Sequence, residues 1–257
     1  MISCVCVTRG DRLTPLADAI GDFARQTFDD RELVLLHDGD DQRNAAIAGL
    51  AAAHRDLVIR VERAKPGPRL GGLRNLAIER AKGEWICQWD DDDRYHPDRL
   101  RLQWECAQEN NALANYLSDQ LHWFRPAGLL YWDDWDREPY PMNVVQGSML
   151  ARKDILPAYP DLAAGEDTVH TAAIMRSAAE KGFRISRLKG AGWCYTYTYH
   201  GQNVWSARHH AAISELKHLP PERLLPCLPT LRKRLSEYDP PLPPLKVPMG
   251  KAAASIP

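Results

Sequence analysis

Four aspartates in a row, Asp90-Asp91-Asp92-Asp93, directly follow the apolar run Glu84-Trp85-Ile86-Cys87-Gln88-Trp89. Adjacent carboxylates repel one another, and behind a buried strand they lack room to spread into solvent, so they call for a positive partner. A divalent cation such as Mg²⁺ or Mn²⁺ suits oxygen ligands and also bridges the oxygens of a diphosphate. A solvated acidic turn, or a cap for a helix starting near Pro97, is the plainer reading of the run alone. Upstream, Gly71-Gly72-Leu73-Arg74-Asn75 opens a helix behind a glycine-rich loop, where backbone N–H groups and an arginine can hold phosphate. Glu166-Asp167 starts another helix; such a pair serves either as a proton acceptor or simply as a cap. His200 ends an alternating run, on the face shared by Thr196 and Thr198; a lone histidine there is more commonly structural than a ligand.

The elements around these residues repeat one pattern. Ile2 to Thr8 reads as a buried first strand, followed by a helix capped at Thr14-Pro15 and running to Gln26. Glu32 to Leu36 is a second strand ending at His37-Asp38-Gly39-Asp40. A helix over 44–53, a strand over 57–61, and a helix from about Leu73 to Lys82 closed by Gly83 lead to the fourth strand, 84–89. Such alternation predicts an α/β fold with a Rossmann-like, mostly parallel, doubly wound sheet, whose ligands lie outside the carboxyl ends of the strands. Thr8-Arg9, His37-Asp38 and Asp90 to Asp93 stand at those ends, so all three converge on one crevice.

The second half is less regular. A helix over 97–109 is followed by a Trp-, Tyr- and Asp-rich stretch to Tyr140. Within it, Tyr131-Trp132-Asp133-Asp134-Trp135-Asp136 reads as an acceptor-side loop or as ordinary packing. Asn143 to Ala151 resembles a strand containing Gly147. A helix over 166–181 closes at Gly182, and strands follow over 183–188 and 193–200. His209-His210 reads as surface. We divide the chain into a domain over 1–215, with halves 1–93 and 94–215, and a Pro-rich tail over 216–257 that packs partly and frays at Ala252 to Pro257.

The chain has 257 residues, 44% hydrophobic and 26% charged, with a formal net charge of -1, so no global basicity argues for nucleic acid. The six cysteines contain no C-x-x-C pair, and Cys4, Cys6 and Cys87 sit in strand-like runs as buried thiols. No apolar run reaches the roughly 18 residues of a membrane span. The expectation is a cytoplasmic protein, with peripheral attachment to the inner face of a membrane left open.

The run from Gly71 to Asp93 resembles the G-x-x-x-A-R-N-x-G-x-x-x-A-x-G-E-Y-I-x-F-L-D-x-D-D signature of family 2 glycosyltransferases with the GT-A fold. Thr8, Gln26-Thr27-Phe28 and Leu36-His37-Asp38-Gly39-Asp40 match that family's opening. Gly165-Glu166-Asp167 matches its x-E-D motif, and Tyr199-His200-Gly201-Gln202-Asn203 resembles its late H-G-x-N segment. The resemblance covers roughly residues 1 to 210. It implies a metal-dependent, inverting transfer of a sugar from a nucleoside-diphosphate sugar to a hydroxyl of a glycan, lipid-linked or other acceptor. UDP is favoured because it is common in the family.

On that resemblance Thr8, Arg9 and Asp38 would line the nucleotide, and Arg74 would lie near the diphosphate or order the loop above it. Asp90 would hold the ribose or reach the cation, Mn²⁺ or Mg²⁺, through water, with Asp91 beside it. Asp92 would ligate the ion directly, and His200 would complete the site. Gly147 would lie beneath the donor sugar. Asp167 would be the catalytic base, kept ionised by the helix dipole, with Glu166 beside it on the acceptor. His37 and Asp40 depart from the usual D-D-G-S, and Leu73 and Leu76-Ala77 from the usual helix start. The metal register within Asp90 to Asp93 stays open by one residue. The competing classes are a nucleotidyltransferase, which expects a basic glycine-rich loop after the first strand, and a silent carbohydrate-binding relative.

Overall fold

The computed structural model describes residues 1–250 and 252–256. Strand β1 (Ile2–Val7) leads into helix α1 (Leu13–Ala24), which buries Leu16, Ala19, Ile20 and Phe23 on one face. The N-cap is Arg12, so Thr14 and Pro15 lie inside the first turn instead of capping it. Proline is tolerated there because its missing N–H would have no intrahelical partner. β2 (Arg31–His37), α2 (Asp41–Ala52), β3 (Ile59–Arg63), α3 (Leu70–Arg80) and β4 (Trp85–Gln88) continue the alternation. The short β5 (Arg94–Tyr95), α4 (Arg99–Glu109) and β6 (Ala114–Leu117) precede a hairpin of β7 (Asp119–Phe124) and β8 (Leu129–Asp134). β9 (Leu150–Arg152), α5 (Glu166–Lys181), β10 (Ile185–Leu188), β11 (Tyr195–Tyr199) and α6 (Ala207–Lys217) follow. The chain closes with α7 (Pro221–Leu224), α8 (Leu228–Leu235), β12 (Leu245–Met249) and β13 (Ala252–Ile256).

The first sheet has seven strands in the order β10-β6-β9-β4-β1-β2-β3, and only β9 runs antiparallel to its neighbours. β1 is central, with Val7 opposite Leu36 of β2 and Val5 opposite Gln88 of β4. This parallel register brings Thr8, Asp38 and Asp90 out along one edge of the sheet. The strands are apolar because helices cover both faces: Cys4, Leu33, Leu35 and Cys87 pack with α1, while Val5, Val34, Leu36 and Ile86 pack with Leu73 and Ala77 of α3. Each large side chain so buried contributes about 1.5–3 kcal/mol. All six cysteines are free thiols.

Two glycine readings change. α3 begins at Leu70, so Gly71 and Gly72 lie in its first turn and not in the preceding loop. A Cβ on Gly71 would sit 1.8 Å from the carbonyl oxygen of Pro160, so glycine is needed for the close crossing of that segment. Gly83 does not close α3. The cap is Ala81, and a Cβ on Gly83 would run into Ser3 and the Met1 carbonyl.

The second sheet, β13-β12-β8-β7-β11-β5, is mixed. It overturns three expectations. The stretch over 131–136 is not an open loop: Tyr131 to Asp134 belong to β8, paired along β7, with Trp132 and Asp133 buried. His210 is not a surface residue, because α6 packs it against β7, where its Nδ1 lies 2.9 Å from His122 Nε2. Ala252 to Ile256 do not fray. They pair antiparallel with β12, which in turn meets β8 at Lys246 and Leu129, and Leu228, Leu231, Leu235 and Leu242 join the main core. Lys251 and Pro257 lie outside the described residues. No helix among the described residues is long and apolar enough to cross a membrane.

Leu231 is 1% exposed. Replacing it by alanine should lower stability by about 2–5 kcal/mol in urea unfolding, the range for a buried leucine; a loosely packed tail would show a change near zero.

Candidate active site

The sheet edge opens into a crevice of about 640 Å³, lined by Thr8, Arg9 and Asp38 from the strand ends, Arg74 from α3, and Asp90, Asp91 and Asp92. Glu166 and Asp167 face it from the start of α5, and the segment Gln202 to Trp205 closes one side. Thus nine of the residues singled out in the sequence share one cavity. Two stand behind its wall. His200 reaches Asp92 from the end of β11. Gly147 sits in a 3₁₀ turn, not a strand, where a Cβ would lie 2.9 Å from the Tyr195 hydroxyl and 3.6 Å from Asp90. A larger cavity of about 780 Å³, beside Trp85, Trp104 and Arg152, lies away from the acidic cluster.

The four aspartates have four different environments. Asp90 accepts from Arg74 Nη2 at 2.7 Å and from Gln88 Nε2 at 3.0 Å. Asp91 is nearly buried and faces Arg12 Nη2 at 3.4 Å, with help from the Thr8 hydroxyl. Burial, then repulsion from Asp92, raises its pKa from 3.8 to about 7. Asp92 accepts from Arg12 Nη1 at 2.9 Å and lies 3.0 Å from His200 Nε2. Burial alone would push Asp92 up, but these two partners hold its carboxyl below the ordinary value. Asp93 turns inward. It accepts from the Tyr195 hydroxyl at 2.6 Å and the Thr198 N–H at 2.8 Å, which anchors β11 to the acidic run. Burial holds Asp93 well above the usual carboxylate range.

Asp92 and His200 are the pair in this crevice that could hold a cation. Asp92 Oδ2 and His200 Nε2 stand 3.0 Å apart. That is a hydrogen-bond distance, and a carboxylate oxygen and an imidazole nitrogen so close together could also both reach one Mg²⁺ or Mn²⁺ ion. Asp90 does not gather with them, because Arg74 and Gln88 engage both of its oxygens. Among the described residues, the one carboxylate–imidazole trio with mutually close ligand atoms is His96, Asp98 and Glu237, on another part of the molecule. His96 there already uses both ring nitrogens, towards Glu237 and the Asp98 N–H.

Arg74 is 5% exposed and bridges two elements, donating to Asp90 and, from Nε at 3.0 Å, to Glu166. It therefore braces the crevice from within instead of projecting into it. The start of α3 is likewise not an open anion site. Asp161 accepts from the Arg69 and Gly72 N–H groups, and Leu162 O accepts from Gly71. Glu166 is buried against Arg74, while Asp167 is half-buried and accepts from the Thr168 N–H at 2.7 Å. Burial raises both carboxyls, with Arg74 opposing. For Asp167 this outweighs the helix dipole, which alone would lower it.

Sequence reasoning gave no role to Arg12 or Tyr159 and named Gln88 and Asn203 only as members of longer runs. Arg12 had only its position after a strand end to mark it. Gln88 and Tyr159 support Asp90 and Arg74 through a mutual hydrogen bond of 3.2 Å and a ring beneath the guanidinium. Asn203 fixes the His200 turn by accepting from the His200 N–H and donating to the Thr198 carbonyl.

A central parallel sheet, a second mixed sheet and an acidic crevice at their junction define the class as an α/β domain of GT-A type. The model of the family described as Glycosyl transferase family 2 matches residues 4–142, and the chain belongs to that family. The chain is 27% identical over 179 residues to EpsE of Bacillus subtilis (strain 168), provisionally assigned as a glycosyltransferase, and the match spans 67% of this chain and 56% of EpsE. Among solved structures it is similar to S. aureus TarS 1-349 in complex with UDP-GlcNAc, with a TM-score of 0.64 and 17% identity over 93% of this chain and 67% of that one. It is also similar to the mannosyltransferase PcManGT from Pyrobaculum calidifontis in complex with GDP-Man and Mn²⁺, with a TM-score of 0.56 and 16% identity, covering 90% and 67% of the two chains.

Two outcomes follow from the charges. Arg74→Met leaves Asp90 and Glu166 facing each other without their shared cation, and should cost about 3–5 kcal/mol in urea unfolding. Asp91 binds its proton more tightly folded than unfolded, so in chelator-treated buffer native stability should fall as pH rises from about 4 to about 7 and level off above that. Asp91→Asn should flatten that decline; an unchanged slope would assign it to other groups.

Proposed function

We propose that the chain transfers a sugar from a nucleoside-diphosphate sugar to an acceptor hydroxyl with inversion at the anomeric carbon. Asp92 and His200 hold the divalent ion, Thr8, Arg9 and Asp38 line the nucleotide, and Asp167 is the base. The observation that carries this reading is the 3.0 Å pairing of Asp92 with His200 in the same crevice as Asp167. One end of the crevice thus has the ligand chemistry for a diphosphate-bound cation, and the other has a carboxylate for the acceptor.

In this scheme Asp167 accepts the proton of the acceptor hydroxyl as its oxygen bonds to C1, and the bond from C1 to the diphosphate oxygen breaks. A carboxyl raised by burial is a stronger base than an exposed one, which suits it to an alcohol proton. A bound Mg²⁺ or Mn²⁺ would neutralise charge on the departing diphosphate. Glu166 keeps Arg74 in place and so holds Asp90 and the start of α5 at a fixed separation. Gly147 lets the Tyr195 hydroxyl come close behind Asp90 and so supports the crevice wall from behind. Both TarS with UDP-GlcNAc and PcManGT with GDP-Man are structural neighbours, so uridine and guanosine donors are both to be tested, UDP first.

Titration of the full chain with UDP and GDP, with Mn²⁺ or with chelator, should give metal-dependent binding of at least one. Absence of binding, or binding indifferent to metal, would remove the reading. Asp167→Asn should lower transfer by about 10²-fold or more while leaving nucleotide affinity nearly unchanged. The anomeric configuration of the product, read by NMR, should be opposite to that of the donor.

A further inference from the structure

Arg12 enters the crevice from the N-cap of α1, and its guanidinium spans the two most crowded carboxylates. Among the described residues, Arg12 and His200 are the basic side chains in contact with Asp91 or Asp92. Its Nη1 donates to Asp92 Oδ2 at 2.9 Å, the same oxygen that lies 3.0 Å from His200 Nε2, and Nη1 also touches that nitrogen. A divalent ion bound by Asp92 Oδ2 and His200 Nε2 would lie about 2.1 Å from each. It would need the lone pairs that Nη1 now engages. The guanidinium and the ion therefore exclude one another.

We propose that Arg12 is the crevice's own counter-cation. It holds the divalent ion's place between Asp91, Asp92 and His200, and it must turn out onto the donor's diphosphate before the ion can settle. This rests on Asp92 and His200 being the ion's ligands. The side chain can leave without disturbing the fold, because its polar contacts are all with this cluster and with neighbouring Asp11, and a quarter of it is exposed. Its backbone role in α1 is separate: its carbonyl accepts from the Leu16 N–H whatever the guanidinium does. An arginine expelled by the ion alone exchanges two ion pairs for water. An arginine expelled in the presence of a diphosphate gains a fork-shaped match to phosphate oxygens. The ion and the nucleotide must then bind with positive coupling that runs through Arg12, and each must raise the other's affinity by the same factor.

Mn²⁺ binding by EPR, with and without UDP or GDP, tests this on the full chain and on Arg12→Met. Mn²⁺ alone should bind Arg12→Met about fivefold or more tighter than it binds the parent chain, and the coupling between Mn²⁺ and nucleotide should shrink by about fivefold or more. Mn²⁺ should also raise the Tm of Arg12→Met more than that of the parent. If Arg12→Met is too unstable without its charge, Asp91→Asn compared with the Asp91→Asn/Arg12→Met pair asks the same question with one repulsive carboxylate removed. Equal or weaker Mn²⁺ binding on removal of Arg12, with Asp92→Asn and His200→Ala abolishing it, would overturn the role of Arg12 and leave the ion site standing. No Mn²⁺ binding by any form, with or without nucleotide, would overturn the ion site itself and the Arg12 proposal with it.

Discussion

Asp90, Asp91, Asp92, Asp93 and Glu166 crowd one wall in which water is scarce. An uncompensated carboxylate there costs several kcal/mol, comparable with the whole stability of a domain. The molecule meets this with partners for every one of them, some shared. Arg74 serves Asp90 and Glu166, Arg12 serves Asp91 and Asp92, His200 serves Asp92, and Tyr195 with the Thr198 N–H serves Asp93. These partners come from the β1–α1 loop, α3 and β11. Gathering them around one short run of chain fixes how the two sheets meet.

Asp93 has a special place in that arrangement. It contributes nothing to the crevice, yet it ties the acidic run to β11, which carries His200 at its end. The second sheet thus sets the distance between Asp92 and His200. On the other side, Asp22 of α1 receives Arg94 and the Tyr95 N–H, which anchors β5 beneath the same run. Among the segments outside helix and strand that line the crevice are residues 8–12, 68–69, 163–165 and 202–205.

The part of the first sheet from β1 to β4 was readable in the sequence because β1, β2 and β4 are apolar and each connection among the four is a helix. Periodicity and strand-end chemistry together sufficed to bring Thr8, Asp38 and Asp90 to one edge. The second sheet was harder. β8 carries Tyr131, Trp132, Asp133 and Asp134 in succession, and Asp133 is buried against His122 of the paired strand and Ser214 of α6. No local pattern announces such partners. The strands after residue 240 are hidden by prolines, although Leu245, Val247 and Ile256 alternate inward as a strand requires. Boundaries moved where a cap came from far along the chain, as Asp161 does for α3. Arg74 was placed near the diphosphate or as ordering the loop above it, but a sequence does not reveal that Glu166 closes on it from a helix more than ninety residues away.

The bridge from Asp90 through Arg74 to Glu166 also bears on how such a site can change over generations. Altering Arg74 alone strands two carboxylates, so a substitution there meets a barrier of several kcal/mol before any new specificity is reached, while altering either acid takes away one of the arginine's two partners. The positions of Arg9 and Trp205 in the crevice loops bear no such interlock. Divergence toward new donors and acceptors has its open path there, around a charged keystone at Arg74.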